Sequence, residues 1–217
     1  MDNLNNKAKF FGKVTASLSH ELQNVLAIIK ETSGLMEDML NFSEDFAKLE
    51  DNKLGECIKT IKNQAYRGVD LTSGLNSFAH TTDSIQASIN VYETIKKMIF
   101  ITKRLFQQKG VNVSITKCHK SYSIITDTVF FQMLIFSCIK SLIENFDNTT
   151  TITLDINSSD KITTIKFTNN DDTLKFDDYK QMLTKSMLWA EICKFCEQLN
   201  FKSEITADTP GILITLK

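Results

Sequence analysis

The stretch S-L-S-H-E-L-Q-N-V-L-A-I-I, Ser17 to Ile29, decides how the N-terminal part of the chain is built. At about 100° per residue on a helical wheel, Leu18, Leu22, Val25 and Ile29 share one stripe with Phe11 and Val14. His20 falls almost opposite that stripe, with Ala16, Asn24 and Ala27 near it. The spacing predicts a strongly amphipathic helix whose imidazole points into water.

Outward from this stretch, one long helix is predicted from about Asn5 to about Leu40, and a charged turn over Glu44 to Gly55. A second helix follows from about Glu56 to about Thr81, with Ile58, Ile61, Ala65, Leu71, Leu75 and Phe78 toward one side. Two antiparallel helices with a short connection make a hairpin. One hairpin buries one side of each helix, and each large apolar side chain left outside forfeits about 1.5–3 kcal/mol. Two copies forming a four-helix bundle are the expected solution, so a homodimer is predicted.

Beyond about Ile85 the pattern changes. Val91 to Gly110 reads as a helix stopped at a glycine, and Val111 to Lys117 alternates as a strand does. Asp127 is a candidate cap for a buried helix reaching about Glu144. Thr150 to Asn157 and Lys161 to Thr168 form a strand pair. A further helix spans about Ser186 to Leu199, and the strands S-E-I-T and G-I-L-I-T-L follow. The fold class is therefore α+β: a helical hairpin, then a two-layer α/β sandwich.

Composition narrows the function classes. The 217 residues carry a formal net charge of −1, so no global basic field argues for nucleic acid or an anionic membrane. The start, M-D-N-L-N-N-K, has no apolar signal core, and the longest apolar run, Val129 to Ile139, is too short to span a bilayer. Five cysteines without a regular framework fit reduced thiols. A soluble, cytoplasmic protein is expected. The chain has only seven glycines and one proline, and nucleotide cradles commonly need glycine where backbone approaches phosphate.

An isolated surface histidine is ordinarily a solvated residue, but the neighbours of His20 favour chemistry. Neutral imidazole is a competent nucleophile near neutral pH. Glu21 can hold one ring nitrogen as N–H, which leaves a lone pair on the other. Asn24, one turn on, can donate to an incoming phosphoryl group or orient a water. Ala16, Ser17 and Ala27 are small enough to admit a docked protein, and Lys13 and Gln23 complete the candidate docking face.

At these residues the chain resembles the two-component histidine kinases, whose phosphoacceptor box S-H-E-L-Q-N is similar to. The resemblance implies that His20 carries a phosphoryl group, that Glu21 acts as base and that Asn24 helps dephosphorylation. Val25 stands where those kinases usually place a proline. The second half should then resemble the kinase ATP-binding domain, and its signature positions depart from that pattern. The two asparagines that hold magnesium and nucleotide fall at Ser137 and Ser141, and a hydroxyl is a poorer magnesium ligand than an amide carbonyl. The adenine-contacting Asp-x-Gly-x-Gly segment falls near T-N-N-D-D, Thr168 to Asp172, without a glycine. The second glycine-rich box falls on K-S-M-L-W-A, Lys185 to Ala190, and the span from Asp172 to Ser186 is short for a usual ATP lid.

An intact histidine box beside a degenerate nucleotide domain resembles the histidine phosphotransferases of the ChpT type. The resemblance implies a bacterial phosphorelay protein that passes phosphate between receiver-domain aspartates of response regulators. It implies no ATP and no cofactor of its own, with magnesium supplied by the receiver. The implied domains are 1–82, a dimerisation and phosphotransfer hairpin, and 83–217, a degenerate kinase-like ATPase domain. Two other readings stay open: a non-catalytic decayed kinase that regulates a receiver or a kinase, and a kinase with an atypical nucleotide site.

The remaining features carry plainer readings. C-K-F-C, Cys193 to Cys196, lies in a predicted helix with no second pair for zinc, so buried thiols are expected. His80 and His119 are expected in solvent without suitable partners. Phe130, Phe131 and Phe136 are expected in the core. Asp171, Asp172, Asp177 and Asp178 do not match calcium-loop spacing and read as a solvated acidic loop.

Overall fold

The computed structural model describes residues 2–42, 51–116, 122–159, 162–170, 175–208 and 210–216. The chain divides into two compact units, residues 12–79 and residues 1–11 with 80–217.

The first unit is the helical hairpin. Helix α1 runs Asp2–Phe42, so its first turns belong to the second unit, and α2 runs Asp51–Ala79. The predicted turn is thus helical from Asp51 onward, with Gly55 inside α2. Val14, Leu18 and Val25 of the α1 stripe are buried, and so are Cys57, Leu71 and Phe78 of α2. Ile58 points outward instead of lining the buried side, and Cys57 takes that place. Gly68 marks where the helices come close: a Cβ there would stand 3.4 Å from Cγ1 of Val25.

The second unit is an α/β domain. After a 3₁₀ turn at His80–Thr82 come β1 (Ala87–Asn90), α3 (Val91–Gln107), β2 (Asn112–Ile115), β3 (Ser123–Thr126) and α4 (Thr128–Asn145). Then follow β4 (Thr151–Ser159), β5 (Ile162–Asn169), α5 (Phe176–Lys185), α6 (Met187–Leu199), β6 (Lys202–Thr206) and β7 (Gly211–Leu216). The main sheet has the order β2-β4-β5-β7-β6, and only the β2–β4 pair is parallel. Its buried face is built by alternation: Leu154 opposite Phe167, Ile156 opposite Ile165, and Ile165 opposite Ile214. Strands β1 and β3 form a separate antiparallel pair, which the sequence pattern did not show.

Helix α4 is apolar on nearly every side, as a central helix must be, and Phe131, Leu134, Ile135, Ile139 and Leu142 are fully buried. Phe131 meets Phe201, and Phe136 meets Phe106, so these two are core as expected, whereas Phe130 is only half-buried. Asp127 caps the helix: its Oδ1 accepts from Phe130 N at 3.0 Å. Its other oxygen takes Lys7 Nζ at 3.0 Å, and that ammonium lies 4.0 Å from the Phe130 ring centroid. Phe10 packs edge-on against Phe136 at 5.5 Å between centroids. The opening turns of α1 thereby become part of the α/β unit. Helix α3 stops as predicted, with Gly110 at φ 74°, in the left-handed region that glycine enters freely.

Helix α5 replaces part of the expected acidic loop. Phe176, Tyr179 and Leu183 recur at helical spacing, and Tyr179 and Leu183 are buried. Asp177 and Asp178 occupy its first turn, where carboxylates complement the helix dipole; Asp171 and Asp172 lie outside the described residues. His80 has a partner after all: its Nδ1 lies 2.7 Å from Asp83 Oδ2, an exposed contact worth little. His119 lies outside the described residues. Among the described residues no helix is long and apolar enough to cross a membrane.

Candidate functional site

Two places follow from the sequence: the His20 face of α1, and the α/β positions where a kinase would hold nucleotide. On α1 the helix presents His20 to solvent, as the wheel predicts. Lys13, Ala16, Gln23, Asn24 and Ala27 are exposed too. All five lie within about 60° of His20 on the wheel, so they form one surface with an imidazole at its centre and two alanines beside it.

Ser17 departs from the expectation. It is buried, at 5% exposure, and its hydroxyl has no hydrogen-bond partner. It lies about 60° from His20 on the side of Glu21 and Val14, and its burial removes it from the expected docking face. Glu21 also lies between outside and inside. Its carboxylate accepts from the Arg67 guanidinium on α2. No hydrogen bond joins it to His20 among the described residues. The expected Glu21–imidazole contact is thus replaced by a bridge across the hairpin. Arg67 precedes Gly68, which faces Val25, and sequence reasoning missed both. A lone arginine on an amphipathic helix carries no signal until the register of the two helices is known.

In the α/β unit, the side chains at the nucleotide positions are engaged with their own neighbours. Ser137 and Ser141 are buried in α4. Asn145 Nδ2 donates to the Ser141 carbonyl at 2.7 Å and to its hydroxyl at 3.3 Å. In T-N-N-D-D, Asn169 Nδ2 donates to Thr149 Oγ1 at 3.0 Å, and Asn169 Oδ1 accepts from the Tyr179 hydroxyl at 3.3 Å. Asn170 Oδ1 accepts from the backbone N–H groups of Thr150 and Thr151 at 3.0 and 2.9 Å.

The segment Lys185 to Ala190 forms the junction of two helices. Ser186 caps α6, accepting from Trp189 N at 3.1 Å while its hydroxyl donates to the Leu183 carbonyl at 2.8 Å. A helix start offers free N–H groups to a phosphate, and here one of them is spent on the cap. Met187 stands 91% exposed at this start, where the family's pattern has glycine. In α5, Tyr179 is completely buried and stacks on Phe146 at 4.3 Å with planes 14° apart.

Two of the cysteines are kept as thiols by burial. Burial pushes the Cys196 thiol up to about 12 and raises Cys138 well above its ordinary value. Cys193 is only half-buried, with its sulfur 3.6 Å from Ser203 Oγ. Among the described residues no group of three or more His, Cys, Asp or Glu side chains could hold a metal ion.

No family model matches the chain, and no curated protein matches it. Solved structures do. The chain is similar to the Acinetobacter baumannii histidine kinase AdeS at 12% identity, over 90% of this chain and 95% of that one, with a TM-score of 0.45. It is similar to a bacterial phosphotransferase at 10% identity, over 96% of each chain, with a TM-score of 0.44. The likeness that carries weight is to the ATP binding domain of PrrB from Mycobacterium tuberculosis. It extends over 62% of this chain and 96% of that one, at 11% identity and a TM-score of 0.50. Behind a long helical hairpin, the chain therefore carries an α/β domain with the fold of histidine-kinase ATP-binding domains.

Proposed function

We propose that this chain is a phosphorelay histidine phosphotransferase that passes a phosphoryl group between receiver-domain aspartates through His20. The observation that carries the reading is the exposed imidazole on a helix face flanked by Ala16 and Ala27. In-line phosphoryl transfer asks the protein mainly for positioning and charge compensation, and a histidine on a helix supplies the first. His20 is the nucleophile, with Asn24 as its auxiliary group, while Glu21 is held by Arg67 of α2. Lys13, Ala16, Gln23 and Ala27 form the surface for the receiver, which brings its own magnesium. Incubation with phosphorylated receivers from the same genome, followed by analysis for acid-labile phosphate, tests the reading; no label on the chain refutes it.

The α/β domain in this proposal binds no ATP. The internal bonds of Asn169 and Ser186 support that, as does the absence of glycine at the start of α6. Calorimetry with ATP and magnesium at millimolar concentration should show no heat of binding. A micromolar dissociation constant would turn the reading toward a kinase.

The protein is further proposed to be a homodimer through the hairpin. Leu26, Tyr66 and Val69 are 63%, 62% and 64% exposed in the single chain, too much apolar surface to leave in water. Leu22, Leu26 and Ile29 lie about 120–180° around α1 from His20, so a second copy seated there leaves the histidine open. Sedimentation at micromolar concentration should show one species of twice the chain mass, and Leu26→Asp should yield monomers. A wild-type monomer would sink the dimer.

A further inference from the structure

The Glu21–Arg67 bridge has a consequence for His20 that rests on the phosphotransferase reading. In the transfer, the lone pair of a neutral ring nitrogen forms the N–P bond as the acyl-phosphate P–O bond breaks. The receiver's aspartate leaves as a carboxylate with that electron pair, and the other ring nitrogen keeps its proton. The ring then holds a group with about two negative charges. The next residue along the helix is a carboxylate, at a separation on the order of 6 Å, inside the Debye length of about 8 Å at physiological ionic strength. Left unpaired, Glu21 would oppose both the arrival of the phosphoryl group and its residence.

We propose that Arg67 is a positioning residue for phosphoryl occupancy of His20: it neutralises Glu21 and draws that carboxylate toward α2. Three observations support the assignment. The guanidinium bonds the carboxylate directly, and the Glu21 side chain is mostly enclosed, at 15% exposure, so the pair is shielded on one side. Gly68, next in sequence, faces Val25 of α1, where a Cβ would stand in ordinary contact at 3.4 Å, so Arg67 lies beside the place where the two helices meet. No other described cation bonds this carboxylate. Lys13 shares the His20 face but lies two turns away, about 10.5 Å along the axis. An arginine suits the task because it stays charged at every pH the protein meets.

The test uses the full chain and potassium phosphoramidate, a small donor that phosphorylates histidine without any partner protein. Loading of His20 is followed as acid-labile phosphate, with His20→Gln setting the background from His80 and His119. For two charges acting on one at about 6 Å in a water-like medium, Coulomb's law gives close to a tenfold effect. Arg67→Gln should therefore load about tenfold more slowly at low salt. The deficit should close at about 1 M salt, where the screening length is roughly 3 Å, and Arg67→Lys should load as the wild type does. A contribution of Arg67 to the fold alone would give no such salt rescue. Loading of Arg67→Gln at the wild-type rate, or a deficit that salt leaves unchanged, overturns the proposal. If the wild type loads but passes no phosphate to any receiver, the phosphotransferase reading fails while the role of Arg67 is still decided.

Discussion

His20→Gln should reduce phosphate exchange between two receiver domains to the background of the receivers alone. The substitution keeps the polarity and much of the size of the side chain but removes the ring nitrogen that forms the N–P bond. No other nucleophile of comparable strength adjoins His20 on that face, since Asn24 and Gln23 are amides and Lys13 lies two turns away. The fold should not notice, because an exposed side chain without buried contacts contributes within about 0.5 kcal/mol. The experiment mixes two receivers, one labelled, with the wild type or the mutant, and follows label on the second receiver. Exchange by the mutant at the wild-type rate would leave His20 without a role and favour a scaffold. Bulky replacements at Ala16 or Ala27 should weaken the same exchange through docking, with the melt unchanged.

The largest loss of stability is expected from Tyr179→Ala. The ring is completely buried, stacked on Phe146 at 4.3 Å, and its hydroxyl donates to Asn169. Removing a buried aromatic leaves a cavity that the surroundings fill only in part, at about 3–5 kcal/mol. In a chain of this size that lowers the melting temperature by roughly 6–20 °C. Tyr179→Phe keeps the stack and gives up one hydrogen bond, about 0.5–1.5 kcal/mol. Denaturant titration of both variants separates the two contributions. An alanine variant as stable as the wild type would mean that α5 lies on the domain without being part of its core.

Periodicity made the long elements legible. The stripe Val14, Leu18, Val25 was visible because a 41-residue helix repeats its pattern many times. The β4–β5 pair was visible because two runs of nine and eight alternating residues follow one another closely. The elements that escaped are short or polar. Strands β1 and β3 have four residues each, too few to alternate convincingly. Helix α5 has ten, and its two leading aspartates resemble loop composition until the spacing of Phe176, Tyr179 and Leu183 is followed. At the candidate site, the exposure of His20 was read from the wheel, since exposure on a helix is a local property. The Arg67 partner of Glu21 was not, because it depends on how two helices align along their lengths. Ser17 was misplaced because small size was taken to mean accessibility: it lies about 60° around α1 from His20 on the side of Glu21 and Val14, and is buried there.

The bond from Lys7 to Asp127 joins residues 120 apart in sequence. During synthesis Lys7 and Phe10 leave the ribosome long before Asp127 and Phe136 exist. At about 5–20 residues per second, that interval is roughly 6–24 s. Through it the opening turns of α1 lack Phe136, which later packs against Phe10, so the nascent chain shows that surface to its surroundings. The α/β unit becomes complete only when its earliest-made segment meets one of its middle helices, which makes the order of translation part of how this protein reaches its fold.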